Sequence, residues 1–588
     1  MPTVIVASAA TRQSWIVNSE WSLASGPLQG AIAHYLVTQG IHDFLIIARG
    51  ILAGRWMVGS AVATLTAVSP QSGGVVESKI EGPLAHGLSS LGVSAIVVIG
   101  TSTQPSGLVI EGSVPHTSIT WVDSVAAPQA TVWETDALVR LSPDDTVVTT
   151  GKWGMAKHKA ASIVTNQGYP SAQGGLGAVM GEMNIKYIHC HSGEPAGKST
   201  ASEKTLTEEY VSRIDSNPLT QSERDYPGFA LWPTAALHGY VASGGFSSNP
   251  SAGLTDFSAE NFLPFAVDNG ESACPACPQS CLKAFSADPA QPLDGGRAHQ
   301  LGMAAFAIQG DSHDVESVIA FNALCHSIGV EHLFAEEMVR GMGPFTPDTL
   351  AEILDQRLGV FDTSPHSALH AKGMALPPFE PRSNQGLAVG WALNPGGPRY
   401  DVLEHDIDFD RDFVSDERAA RGEDFGLPAE GLPLGTLDER RHQSIVELWL
   451  CWSALDALGI CEYAAPPTRE LTVEGICSLV AERTDAPFTT EDLYQLGLTR
   501  LGLLKDINDR LGVSEALDTL PDVFFDVALA TGHCDGVAIN RDEFEAALGY
   551  VRESFEWKDG GLNHTGSVFA RVTAAHRAAG RIFEEVRL

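Results

Sequence analysis

The chain has 588 residues, 44% of them hydrophobic and 19% charged, and carries a formal net charge of −35. That length exceeds one hydrophobic core and predicts about two to four domains. The acidic balance excludes sequence-independent nucleic-acid binding, which needs a basic face, and docking on an anionic membrane; its simplest meaning is solubility.

Residues 1–198 read as strand-rich. The short apolar or β-branched runs TVIVA, FLIIA, AVATLTAV, SAIVVIG, SITWV, DTVVTT and KYIHC recur between Gly, Pro and Ser. A helix is expected over AIAHYLVTQ, after the turn at Gly26–Gly30. So many strands with turn signals between them predict stacked or closed antiparallel sheets. Two glycine-rich segments, Ser69–Gly74 and Gly174–Gly181, would let backbone amides approach an anionic ligand, with tight turns as the plainer account. The first residues carry no basic region of a signal peptide, and no stretch approaches the roughly 18 apolar residues of a membrane helix.

A polar stretch marks a boundary near residue 198, and helical periodicity takes over. TLTEEYVSRIDS, HDVESVIAFNALCHSIGV and DTLAEILDQRLG carry apolar residues three and four apart, the second ending at Gly329. The segments Gly373–Arg382 and Asn394–Arg399 are expected to be ligand-binding loops. The acidic run from Glu404 to Arg418 is expected to be a solvated face. In the final third, His442–Leu458 places Ile445, Leu448, Trp452 and Leu455 on one helix face and stops at Gly459. Thr489-Thr490-Glu491-Asp492 signals another helix start. LCHSIGVE (324–331) and LDALGICE (455–462) echo each other, both ending a helix at Gly with a polar residue three before it.

Nine cysteines, odd in number and unevenly scattered, do not form a secreted disulfide framework, and a reducing cytoplasm is the expected compartment. Cys274, Cys277 and Cys281 form C-x2-C-x3-C, the reverse of the usual order in radical S-adenosylmethionine enzymes. Neighbours this close would make strained disulfides, so they are read as metal ligands. A cubane iron–sulfur cluster takes four cysteines. A structural zinc site is the alternative, though a second C-x2-C knuckle is missing. Cys461, just past a helix-ending glycine, has the best setting for a fourth ligand; Cys451 and Cys477 read as core thiols.

C-x2-C-x3-C followed far downstream by D-x2-G-[LI]-C resembles the aldehyde ferredoxin oxidoreductase family, tungsten or molybdenum enzymes with two pterins and one [4Fe–4S] cluster. GGLGAVMG (174–181) resembles its glycine-rich pterin segment, KGMALPPFEPR (372–382) and GLAVGWALNPGGP (386–398) resemble its active-site loops, and the C-terminal helices resemble its own. The resemblance implies an α+β fold: an N-terminal domain of stacked antiparallel sheets (1–198) followed by two mainly helical domains (199–395 and 396–588). It implies cluster ligands Cys274, Cys277, Cys281 and Cys461. It implies cofactor contacts at Lys79, Gly174, Gly175, Gly177, Ala178, His326, Gly329, Glu331, Asp456 and Gly459, with magnesium as a further candidate ion. His326 and Glu331 stand where the family has two acids, Lys79 where it has Asn, Gln173 and Val62 where it has Arg, and Arg297–Gln300 where it has P-E-Y-E. His299, His405 and Glu331 are therefore the candidate acid/base residues.

The implied activity is oxidation of an aldehyde or related small substrate, with electrons passed to a ferredoxin or an iron–sulfur subunit; a homodimer is an assembly it allows. Two alternatives stand beside it. One is the catalytic subunit of a tungsten benzoyl-coenzyme A reductase-like complex; the other is a non-enzymatic iron–sulfur electron-transfer or scaffold paralogue.

Overall fold

The computed structural model describes residues 2–193, 198–226, 235–236, 238–242, 244–247, 258–267, 274–286, 306, 315–340, 342, 347–361, 369–412, 414–530, 532–558, 561–584 and 586. Strands β1 (Thr3–Ser8), β2 (Gln13–Asn18), β3 (Phe44–Arg49), β4 (Val62–Val68), β5 (Val75–Glu81) and β6 (Ala95–Ile99) form one sheet in the order β2-β1-β6-β3-β4-β5. Strands β7 (Ser106–Glu111), β8 (Ser118–Asp123), β9 (Thr146–Thr150), β10 (Ile163–Thr165), β11 (Tyr169–Pro170) and β12 (Ile185–His191) form the second, in the order β11-β10-β9-β12-β7-β8. Pairing is mostly antiparallel, as expected. Each sheet also contains one parallel pair, β1 with β6 and β7 with β12.

A parallel pair needs a crossover and tends to be covered on both faces. The strand runs accordingly read as continuous apolar stretches. In β1, Ile5 and Ala7 enter the core between the two sheets, while Val4 and Val6 face the larger core shared with the helices.

Eight helices position the site: α1 (Leu28–Thr38), α2 (Leu176–Glu182), α3 (Ala201–Ile214), α4 (Val315–Ile328), α5 (Gln385–Leu393), α6 (Glu439–Leu458), α7 (Thr490–Arg510) and α8 (Ser567–Phe583). The first sheet is backed by α1, which packs against α7 and α8, and α6 lies along α7. That close approach needs Gly497, where a Cβ would stand 2.1 Å from the Leu450 carbonyl oxygen. Helix α7 starts at the expected N-cap, and Thr489 with Asp492 completes it as a capping box.

Two expectations are corrected. Residues 385–393 form a helix, not a loop: all nine are buried, so no polar face exists to betray the helical period. The first half of the acidic run is not a solvated face, since Glu404, His405, Asp406 and Asp410 are buried, whereas Asp412, Asp416 and Glu417 in its second half are exposed as expected. Among the described residues no helix is long and apolar enough to cross a membrane.

Candidate cofactor and substrate site

The two echoed helix ends are equivalent structures. Gly329 and Gly459 take left-handed backbone conformations (φ 69° and 76°). The amides one residue on, Val330 and Ile460, each bond back over 3.0 Å to the carbonyls of Cys325 and Leu455. This is the six-to-one bond of a Schellman turn. Each turn then seats on a glycine at the end of a sheet strand. A Cβ on Gly151 would lie 1.9 Å from the Ile328 oxygen, and one on Gly50 would lie 2.0 Å from the Leu458 carbonyl carbon. The amides of Glu331 and Cys461 donate over 2.8 Å to Ala160 and Gly59. Thus α4 docks on the second sheet as α6 docks on the first.

Around the second turn the four expected cluster ligands gather. Cys281 and Cys461 are half-buried thiols pushed well above the ordinary value, by desolvation first; the next cause is Cys274 for Cys281, and Glu462, ahead of Cys281 and Cys274, for Cys461. Burial also raises Cys277, against backbone N–H groups of Gly59, Gln279 and Ser280 that point at its sulfur. The Gly59 peptide therefore serves two cysteines, donating to Cys277 and accepting from Cys461. Ala276 and Ser280 adopt left-handed conformations between the cysteines. Gln279 anchors the loop, accepting from Tyr210 at 2.9 Å and donating to Glu223 at 3.0 Å, and Glu223 pairs with Arg469 at 2.8 Å. Four reduced thiols with N–H donors on sulfur fit a thiolate-ligated cluster.

Asp456, in the last turn of α6, belongs to a buried ion network. Lys79 Nζ lies 2.5 Å from Asp401, 3.0 Å from Asp456 and 2.8 Å from Glu462. Arg399 grips Asp401 with both arms and reaches Asp456 at 3.1 Å; Arg500 joins Glu77 at 2.6 Å to Asp456 at 2.9 Å. Burial alone would depress the Lys79 ammonium, but the three carboxylates lift it well above its ordinary value. The cations correspondingly overcome burial to hold Asp456 below the carboxylate range. Burial raises Glu462, whose oxygens accept from Lys79 and, at 2.9 Å, from Tyr400.

At the other turn, Glu331 accepts from the Gly175 amide at 2.6 Å and from Gln71 at 2.8 Å, tying both glycine-rich segments together. Burial pushes it up to about 8 against those two bonds. Gly177 and Gly181 have a different purpose from that expected. Their missing side chains let α2 approach Ser162 and Gly154, where a Cβ would meet carbonyl oxygens at 2.4 and 1.8 Å. The amides of Gly177 and Ala178 are used within the fold, donating to Ala161 and Gly175. His326 is fully buried, its ring edge-on to His332 at 5.1 Å.

A small cavity of about 20 Å³ lies between these halves, walled by Glu77 and Lys79 on one side and by Ala172 and Gln173 on the other. Tyr400 separates it from a second cavity of about 300 Å³, lined by Tyr240, Phe379, Glu404, His405, Trp452 and Glu462. His405 Nε2 meets the Tyr400 carbonyl at 2.6 Å, which places the ring proton on Nε2. Burial keeps this imidazole neutral. Glu404 is raised well above its usual value by burial and then by Asp408; Thr468 donates to it at 2.6 Å. Glu331 lines neither cavity, and His299 lies outside the described residues. Lys79 and Arg399, with the turn acid Asp456 beside them, have the charges to meet an anionic cofactor with hydrogen-bonding edges, which would have to exchange with the ion pairs that now close the site.

Sequence reasoning missed Asp401, Glu404, Tyr400 and Arg500. Arg399 and Asp401 sit within a segment already singled out or just beyond it, but the network they join also needs Lys79 from β5 and Asp456 from α6.

A two-sheet base capped by helices, with four half-buried thiols from a loop and a helix-ending turn beside a charged cavity, defines a redox-cofactor class of protein. Residues 36–192 match the family described as aldehyde ferredoxin oxidoreductase, N-terminal domain, and residues 334–565 match aldehyde ferredoxin oxidoreductase, domains 2 and 3. The chain belongs to the aldehyde ferredoxin oxidoreductase family, a family of oxidoreductases. It is 22% identical over 550 residues to a tungsten-containing aldehyde ferredoxin oxidoreductase of Pyrococcus furiosus, covering 85% of each chain. It is likewise 22% identical over 553 residues to that of Thermococcus kodakarensis, covering 86% of each. Its fold is similar to the active-site complex BamBC of benzoyl coenzyme A reductase, solved with 1,5-dienoyl-CoA. That likeness has a TM-score of 0.76 at 14% identity, over 99% of this chain and 98% of that one.

Proposed function

We propose that the protein is a tungsten or molybdenum bis-pterin oxidoreductase that oxidises an aldehyde or related small substrate to a carboxylic acid. Aldehyde and water give acid, two protons and two electrons, and the electrons leave through a [4Fe–4S] cluster on Cys274, Cys277, Cys281 and Cys461. The observation that carries the reading is the mutual approach of these four thiols beside Glu462 and Tyr463, which line the substrate cavity. When bound, the metal–pterin group supplies two-electron exchange and the cluster single-electron transfer.

The chain's own residues bind and handle protons. Asp456 and Glu331 would meet the pterin edges, with His326, Gly174, Gly175, Gly329 and Gly459 shaping the turns. Lys79 and Arg399 would offset cofactor charge, with magnesium as a further counterion. In the second cavity the aromatic walls exclude water. His405, neutral and with Nδ1 as its basic nitrogen, would accept a proton, and the protonated Glu404 would donate one. His299 remains a proposed acid/base residue. The expected electron partner is a ferredoxin or an iron–sulfur subunit in a reducing cytoplasm, with a homodimer as one assembly. The three-domain division at residues 198 and 395 is part of the same reading.

The test is elemental analysis of purified protein together with an aldehyde-dependent viologen assay. About one tungsten or molybdenum and about four iron per chain, with viologen reduction, support it. Iron without either metal overturns it in favour of an electron-transfer paralogue. A second reading is favoured by the aromatic lining of Tyr240, Phe379 and Trp452: reduction of an aromatic acyl thioester within a larger complex. Tungsten without aldehyde turnover would point there.

A further inference from the structure

We infer that Asp410, Asp412 and His533 form a binding site for a divalent first-row transition-metal ion at the rim of the substrate cavity, separate from the cluster cysteines. One ligand atom from each of these three residues lies within 4.8 Å of the others. His533 Nε2 and Asp412 Oδ2 stand 3.9 Å apart. That is too long for a hydrogen bond and within the roughly 4.2 Å that two ligands each about 2.1 Å from a shared ion can span at most; the tetrahedral spacing of about 3.4 Å needs only a small side-chain adjustment.

Asp410 supplies the independent sign. It is 1% exposed, yet its Oδ2 accepts no hydrogen bond, and Oδ1 takes only a long 3.4 Å contact from the Asp412 amide. Among the described residues no lysine or arginine pairs with it. A buried carboxylate oxygen left without a donor is costly, and a cation would relieve that cost. Burial raises Asp410, and the charged groups acting on it are Asp412, His533 and His238. His238 lines the cavity, and its ring lies 6.2 Å from that of His533, within reach of joining the shell by a side-chain movement.

The donor set chooses the ion. Imidazole with two carboxylates suits zinc, iron(II), cobalt(II) or manganese over calcium or magnesium. The exposed Asp412 and His533 leave one side of the site to water. The three ligands come from two remote segments, so the ion would pin the 406–412 segment, which follows His405, to the loop around residue 533.

The test titrates chelator-washed, cluster-loaded full-length protein with zinc(II) by calorimetry and with cobalt(II) by absorption. One equivalent should bind, and Asp410→Asn and His533→Ala should each weaken binding at least tenfold. Cys534→Ser, at a thiol near Asp410, should leave it unchanged. The cobalt spectrum should lack a thiolate charge-transfer band. His533 is part-exposed, so its variant should melt like the parent without metal, which separates lost ligation from lost folding. No saturable uptake, equal uptake in both ligand variants, or a thiolate band would each overturn the proposal. None of these outcomes depends on the tungsten or molybdenum content that tests the proposed activity.

Discussion

Glu331 and Cys461 occupy the same position in two equivalent turns: each stands two residues past a left-handed glycine and donates its amide over 2.8 Å to a loop of its own sheet. One position holds a carboxyl group that joins two glycine-rich segments, the other a thiol in a four-cysteine cluster. The backbone is repeated while the chemistry differs.

The glycine seats beneath these turns should be intolerant and equally so. Gly50→Ala and Gly151→Ala force a methyl group within about 2 Å of backbone atoms and should each cost more than about 4 kcal/mol, or prevent soluble expression. Gly549, exposed inside the Arg541–Ser554 helix with open space around it, is the contrast. Gly549→Ala should stabilise by up to about 1 kcal/mol. Denaturant unfolding of the three variants checks this.

Lys79 is shared by three carboxylates in the interior. Lys79→Met should destabilise the cofactor-free protein by about 3–5 kcal/mol, because buried acids are left under-compensated. Adding Glu462→Gln should restore part of the loss, so the double-mutant cycle should be strongly non-additive. Additive losses would mean the ion network is not a unit.

Cys461→Ser should abolish or deplete cluster iron, whereas Cys451→Ser, at a fully buried core thiol, should lose stability but keep its iron. Iron quantitation and the cluster's visible absorption distinguish the two. Unchanged iron in Cys461→Ser would remove this residue from the ligand set.

Glu404→Gln keeps the neutral shape of the cavity wall and removes its proton. Turnover should fall roughly 10²- to 10⁴-fold with little loss of substrate binding. Burial and Asp408 raise the Glu404 carboxyl, so its favourable contribution is complete at acid pH and is lost as pH rises through the folded value. The Gln variant should therefore melt less pH-dependently than the parent on the alkaline side.

His86 gives an acid-side test away from the cofactor. Burial, aided by Arg49 and Arg55, lowers it from 6.5 to about 4, against the bond to the Arg55 carbonyl at 2.9 Å. The folded protein prefers neutral His86, so stability is full above pH 6.5 and falls as pH drops towards 4, by about 3 kcal/mol in all. His86→Gln, able to keep that bond, should flatten melting temperature across this window.

Much of this architecture was written in local patterns. Strand runs, helix-ending glycines, the Thr489 cap and the spacing of Cys274, Cys277 and Cys281 each depend on near neighbours, so one stretch of chain suffices to read them. The echo of residues 324–331 and 455–462 was visible as letters; its meaning required Gly151 and Gly50, which carry no signal of their own. The first half of the acidic run misled because charge reads as exposure unless partners are known. Thr468, for Glu404, lies 64 residues away. Helix α5 was missed because complete burial erases the periodicity that reveals a helix. Gly177 left two readings open, an amide cradle and a tight turn, because a glycine needed for close helix packing looks the same in sequence.

The long reach of β5 has a consequence for biogenesis. Glu77 and Lys79 are synthesised early, but their partners Glu462 and Arg500 follow 383 and 423 residues later. At about 5–20 residues per second, the nascent sheets would wait on the order of 20–80 s with these charges uncompensated. The β5 wall of the inner cavity therefore stays open throughout translation and closes only when α6 and α7 arrive. Whatever cofactor the cavity takes must enter before that docking or through a later loosening of it, which ties maturation of this protein to the arrival of α6 and α7.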